Sequence, residues 1–207
     1  TFKIILDSDT AVIALENGEI DIFDTPPAAA KQILLDNKDI QYHETAANGT
    51  QFIMMHNSKG KFVDKKVRQA ISCAIDRESV IIGALEGNGN IAETLMGPGC
   101  FGFPKDFKSE YQYDPQRAKQ LLAEAGYPEG FTVSIPTMDI EYFIKPTEVI
   151  QDQLRKVGIN AEIEKYERGV WLDKTRTQHD YEITVMNTNA PYPDGDYLYP
   201  LMHSEYI

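Results

Sequence analysis

Cysteine is nearly missing: the 207 residues hold only Cys73 and Cys100, in no CxxC spacing. Such a pair could bridge, bind nothing or stay reduced, so it assigns no compartment. Basic residues are also scarce. Lys and Arg number 20 against 32 Asp and Glu, giving a net charge of -12 and a field that repels phosphate backbones and anionic lipid heads. Nucleic acid is therefore excluded as an expected partner. No uncharged apolar run approaches the ~20 residues a membrane helix needs; the longest is the short stretch from Val80 to Leu85. There is no basic-then-apolar leader ahead of Thr1 and no initiator Met, which reads as a processed or truncated piece. What remains is an ordinary globular mixture, 42% hydrophobic and 25% charged, long enough to bury a core without disulfides.

The texture changes near Asn57. Before it, FKIIL at 2–6 has the look of a strand, and Thr10 can cap a short helix through Leu15, closed by Asn17 and Gly18. A strand follows at 21–23. Thr25, Pro26 and Pro27 then open AAAKQILL as a helix broken by Asp36 and Asn37. Strands at 41–44 and 51–56 complete the stretch. Beyond the turn-prone residues 57–60, Val67, Ala70, Ile71, Ala74 and Ile75 recur at helical spacing, and Asp76 is placed to cap a second helix. Residues 87–104, rich in Gly, Asn and Pro, form a structured loop. DPQRAKQLLAEAGY is a helix opened by Asp114 and Pro115 and stopped by Gly126. A strand at 131–136, a helix from about 145 to 157 and a strand at 161–166 make a βαβ unit, hence a parallel pair with a right-handed crossover. A helix over 170–178 leads to a strand at 181–186. Alternating strands and helices imply α/β packing.

The motifs of catalysis and cofactor binding are weak. Gly97, Gly99 and Gly102 spell GxGxxG, yet no strand leads in and Phe103 with Pro104 stands where a helix should start. Asp194 and Asp196 put two carboxylates in one loop without the rest of a calcium-binding spacing. His43, His56, His179 and His203 form no HExxH or His-Cys grouping, and no serine sits in a GxSxG elbow. No metal and no cofactor is expected. The more informative cluster is Asn187, Thr188, Asn189, Tyr192 and Tyr197, just after a strand, where open α/β sheets place ligand loops and where Tyr and Asn can stack on and hydrogen-bond a polar solute.

VDKKVRQAISCAIDRE at 63–78 resembles the D-x-R-V-R-Q-A-[IL]-x-x-A-I-D-R-x segment of the bacterial extracellular solute-binding proteins of the peptide and nickel type, the capture subunits of ATP-driven importers. Further pieces fall in the same order: GEIDI at 18–22, a strand ending in Asn57, MGPGCFGF, YDPQRAKQLLAEAGY, QDQLRKVGINAEIEKYE and YEITVMNT. The resemblance implies an α/β fold of the periplasmic-binding-protein-like type II kind, a mixed sheet flanked by helices. It implies two lobes that close on a solute, with 1–57 the C-terminal part of an incomplete lobe I and 58–207 most of lobe II without its C-terminal return.

The function so implied is non-catalytic: capture of a peptide or peptide-like solute, delivered to a membrane permease, in a periplasmic or extracellular protein with or without a lipid anchor. Faces left open by missing segments would favour a homodimer. Met55, His56 and Asn57 at the presumed lobe crossing, Tyr142, and the wall residues Asn187, Thr188, Asn189 and Tyr192 are the expected solute contacts. Peptide-binding members pair an Asp with the peptide amino terminus; the matching position here is Pro191, so free-amino peptides become doubtful ligands. The rival readings are a carboxylate-dependent hydrolase using Asp7, Asp9, Glu162 or Glu164, and a sensory or chaperone-like module on the same fold.

Overall fold

Helix α1 (Ser8–Glu16) starts where the Asp7 carboxylate accepts from the Thr10 amide at 2.8 Å and the Thr10 hydroxyl at 2.6 Å. The cap is Asp7 rather than Thr10, because a carboxylate three residues ahead reaches the open amides of the first turn. In the computed structural model, which describes residues 1–45, 49–188 and 194–198, α1 belongs to the first of two units, Thr1–Thr45. Val12 of α1, Ala30 just ahead of α2 (Lys31–Asp36) and Leu34 within it form its small core, with Leu15, Phe23, Ile40 and Tyr42 packed around them. The strands expected at 2–6, 21–23 and 41–44 are absent. Alternation supplies a face, but a strand also needs a neighbour for its backbone groups. Phe2, Ile4 and Leu6 stand 103%, 87% and 97% exposed.

The second unit runs from Ala46 to Ile207. Its helices α3 (Lys65–Ala74), α4 (Arg77–Leu85) and α5 (Pro115–Glu124) are capped by Asp64, Asp76 and Asp114. The last two are the caps expected from sequence. Strands β2 (Phe131–Met138) and β3 (Ile159–Tyr166) are parallel and in register from Phe131↔Ile159 to Met138↔Tyr166, joined by α6 (Glu141–Lys156). The βαβ reading holds. At the entry to this pair, Gly130 has φ +77° and a Cβ there would lie 1.8 Å from the Gly158 carbonyl oxygen, so only glycine lets the two strands start this close. The buried core joins Phe62, Val67, Ile71, Leu122, Ile135, Leu154, Ile159 and Trp171. Gln153 links α6 to the start of α4, accepting from the Asp76 amide at 3.0 Å and donating to its carbonyl at 3.1 Å.

Strand β1 (Gln51–Met55) pairs antiparallel with β4 (Ile183–Asn187). This pairing places β1 in the second compact unit, which begins at Ala46. Beside β4 lies β2, without a backbone ladder. Instead the Pro136 carbonyl of β2 accepts from the Thr184 hydroxyl of β4 at 2.6 Å and from the Trp171 indole at 3.2 Å. A proline has no amide to offer a neighbour, and a buried threonine replaces the missing rung. The mixed sheet is thus two strand pairs stitched by side chains. Helix α7 (Arg168–Leu172) passes into a π-helical turn (Asp173–Thr177), where one longer helix was expected.

Candidate functional site

The ends of the strands decide where ligand-contacting residues can meet. Lys61 ties the start of β4 to the start of β2: its amide donates to Glu182 at 3.3 Å and its ammonium lies 5.4 Å from the Phe131 ring centre. At the far end, the Gln51 amide donates to the Tyr142 carbonyl at 2.9 Å while Gln51 pairs with Asn187. Hence β4 runs in the same direction as β2 and β3. The carboxyl ends of all three strands lie at one edge, the position where open α/β sheets take ligands.

Tyr142, Asn187 and Thr188 are gathered at this edge. Tyr142 is in the first turn of α6, half exposed, its ring edge-on to that of Phe143 at 5.4 Å. Asn187 closes β4 and is partly exposed. Thr188 is buried; its amide donates to the Thr50 carbonyl at 2.8 Å and its hydroxyl accepts from the Thr50 amide at 3.1 Å. Those bonds occupy Thr188 with holding the ladder closed, leaving Asn187 and Tyr142 as the candidate side chains with exposed surface at this edge. Asn189 and Tyr192, with Pro191, lie outside the described residues.

Met55, His56 and Asn57 are at the opposite end. Four residues separate Met55 from Gln51 on β1, about 13 Å at strand rise. Met55 packs against the core, and Asn57 is exposed on a turn. His56 is buried against the Tyr181 ring at 5.4 Å and the His179 ring at 6.4 Å. The Ser58 amide points at its Nδ1 at 3.4 Å, and the Ser58 hydroxyl lies 3.1 Å from the same nitrogen. Burial lowers its pKa, and the Lys59 and His179 charges push the same way. Lys59 itself bonds the His179 carbonyl. These three residues and the carboxyl edge therefore form two groups rather than one site.

Two of the four carboxylates of the hydrolase reading, Asp7 and Glu164, have structural partners. Asp7 caps α1, and its pKa is lowered by the Thr10 hydroxyl and amide. Glu164 accepts from the Tyr166 hydroxyl at 2.7 Å. Cys73 and Cys100 are both buried and free. Among the described residues no group of three or more His, Cys, Asp or Glu could hold a metal ion, and no helix is long and apolar enough to cross a membrane.

Residues 1–206 match the family described as bacterial extracellular solute-binding proteins, family 5 Middle. The chain belongs to this family. The oligopeptide-binding protein AppA of Bacillus subtilis is 30% identical over 100% of this chain and 40% of its own length. The dipeptide-binding protein of Escherichia coli is 27% identical over 98% of this chain and 38% of its own. The periplasmic binding protein DppA of Helicobacter pylori, solved in complex with the peptide STSA, superposes with a TM-score of 0.86 at 29% identity, covering 95% of this chain and 38% of that one. The chain thus spans about two fifths of the relatives it matches.

Three participants escaped the sequence reading: Thr50, Gln51 and Pro146. Thr50 and Gln51 carry no motif, and their role comes from a partner 138 residues away and one 91 residues away. Pro146 did carry a signal. Helix α6 begins at Glu141, earlier than the expected start near 145, and so puts a proline inside the helix, where sequence rules say it should not be.

Proposed function

We propose that this chain is part of the substrate-binding component of an ATP-driven importer, capturing a peptide or peptide-like solute between two lobes and presenting it to a membrane permease. The family match over residues 1–206 carries this reading. The second unit supplies one jaw, with Tyr142 and Asn187 at its carboxyl edge and Asn189 and Tyr192 following in sequence as solute contacts. Binding drives closure to the extent that the solute touches both lobes and so favours the closed state. Assignment of 1–57 to the end of lobe I and of 58–207 to most of lobe II belongs to the same proposal. So does a periplasmic or extracellular location, free or lipid-anchored.

Pro191 in place of an acid argues against a ligand held by a free ammonium, and favours solutes with a blocked or absent amino terminus. Pairing of two copies rests on the exposed Phe2, Ile4 and Leu6 side chains; light scattering that finds a monomer at every concentration ends it. The main test is calorimetric titration of the full chain with STSA, its N-acetylated form and a dipeptide library, followed by mass analysis of the recovered solute. Saturable binding of an unchanged solute, tighter for the acetylated peptide, is the expected result. Turnover of the solute would overturn it.

A further inference from the structure

Helix α6 contains Pro146 as its sixth residue. A proline there has no N–H to return to the carbonyl four residues back, and its ring crowds that carbonyl. The carbonyl in question is that of Tyr142, the one to which Gln51 Nε2 donates at 2.9 Å. Gln51 in turn sits opposite Asn187 in the β1–β4 ladder. One break in a helix thus frees an acceptor that a strand residue occupies, at the edge where β2, β3 and β4 end. Pro146 is buried, so its ring also packs; packing alone does not account for the pairing of the carbonyl it frees with Gln51, and a local rule broken at such a place points to function.

We infer that Pro146 and Gln51 are positioning residues for solute binding: Pro146 keeps the Tyr142 carbonyl open, and Gln51 uses it to fix Tyr142 relative to Asn187. The inference rests on the importer reading above and adds two residues to it, neither of which touches solute. It gives Pro146 a signature that a purely structural proline lacks. Replacing it with alanine restores the helix bond at the cost of some packing of the buried ring, while the restored N–H competes for the Tyr142 carbonyl, releases Gln51 and weakens binding.

The experiment compares wild type, Pro146→Ala, Gln51→Ala and the double variant of the full chain, by thermal melting and by calorimetric titration with STSA, its N-acetylated form and a dipeptide library. Pro146→Ala should weaken binding about tenfold, the effect of one lost hydrogen bond, without lowering the melting temperature by more than about 5 °C, because the restored helix bond offsets the lost packing of the buried ring. Gln51→Ala should weaken binding similarly without raising the melting temperature. The double variant should bind no more weakly than either single, because both remove one contact. Unchanged affinity in Gln51→Ala, or additive losses in the double variant, would overturn the inference even if Pro146→Ala failed to fold. A wild type that takes up none of the probes would bring down the importer reading and this role together; a binding wild type matched by both variants would bring down this role alone.

Discussion

The seam between β2 and β4 makes a sharp demand on energetics. Two donors, the Thr184 hydroxyl and the Trp171 indole, serve one buried acceptor, the Pro136 carbonyl, at 2.6 and 3.2 Å. Thr184 is 0% exposed and Trp171 2%, so water cannot replace either. Thr184→Val keeps the shape and deletes one bond, leaving the carbonyl paired with the indole; the cost is about 1 kcal/mol. Trp171→Phe deletes the other bond and leaves a small void against Phe143, for about 2 to 3 kcal/mol in total. Together they leave the carbonyl without a partner, which adds the desolvation penalty of an orphaned acceptor, about 1 to 2 kcal/mol beyond the sum. The assay is urea unfolding of the full chain followed by far-ultraviolet circular dichroism, since the only tryptophan is itself altered. A double variant whose loss equals the sum of the singles, within about 0.5 kcal/mol, would show that the carbonyl is not shared and would refute the stitched-seam account.

Other consequences are as direct. His56 has its pKa lowered in the fold by burial, by Lys59 and by His179, so its contribution is fully present above the unfolded value near 6.5 and lost as pH falls through the lower folded one; urea midpoints should drop on acidification below 6.5, and less so in His56→Gln. Gly130→Ala forces a side chain into φ +77° and onto the Gly158 carbonyl, for about 3 kcal/mol or more, whereas Gly87→Ala, at φ +80° with open space around it, should cost about 1 kcal/mol; equal losses in denaturant unfolding would contradict the close approach of the strands. Tyr142→Ala should weaken solute binding by about 1 to 3 kcal/mol while His56→Gln, at the other end of the ladder, leaves calorimetric affinity within about twofold.

Much of this architecture could be read from local chemistry. Asp76 and Asp114 announce helix starts through side-chain geometry that needs nothing distant, and the βαβ unit follows from two apolar runs flanking one helix and closed by Gly158. The failures share a cause. Residues 2–6 have the apolar, β-branched make-up of a strand but lack a partner, and pairing is a property of two segments. The spacing of the candidate residues is of the same kind: Met55 and Asn187 both lie on the β1–β4 ladder, yet only the register, Gln51 opposite Asn187 and Met55 opposite Ile183, reveals that they sit at opposite ends. The interior proline in α6 was hidden by an expected helix start four residues late, which made an anomaly look like an ordinary first-turn proline.

Hydrogen exchange of the full chain, with and without saturating N-acetylated STSA, addresses the central claim most directly. The account expects protection to rise at Gln51, Tyr142, Asn187 and Thr188 and to stay flat at His56 and Asn57, with the peptide recovered intact. Protection confined to the His56 end, or a cleaved peptide, would contradict it.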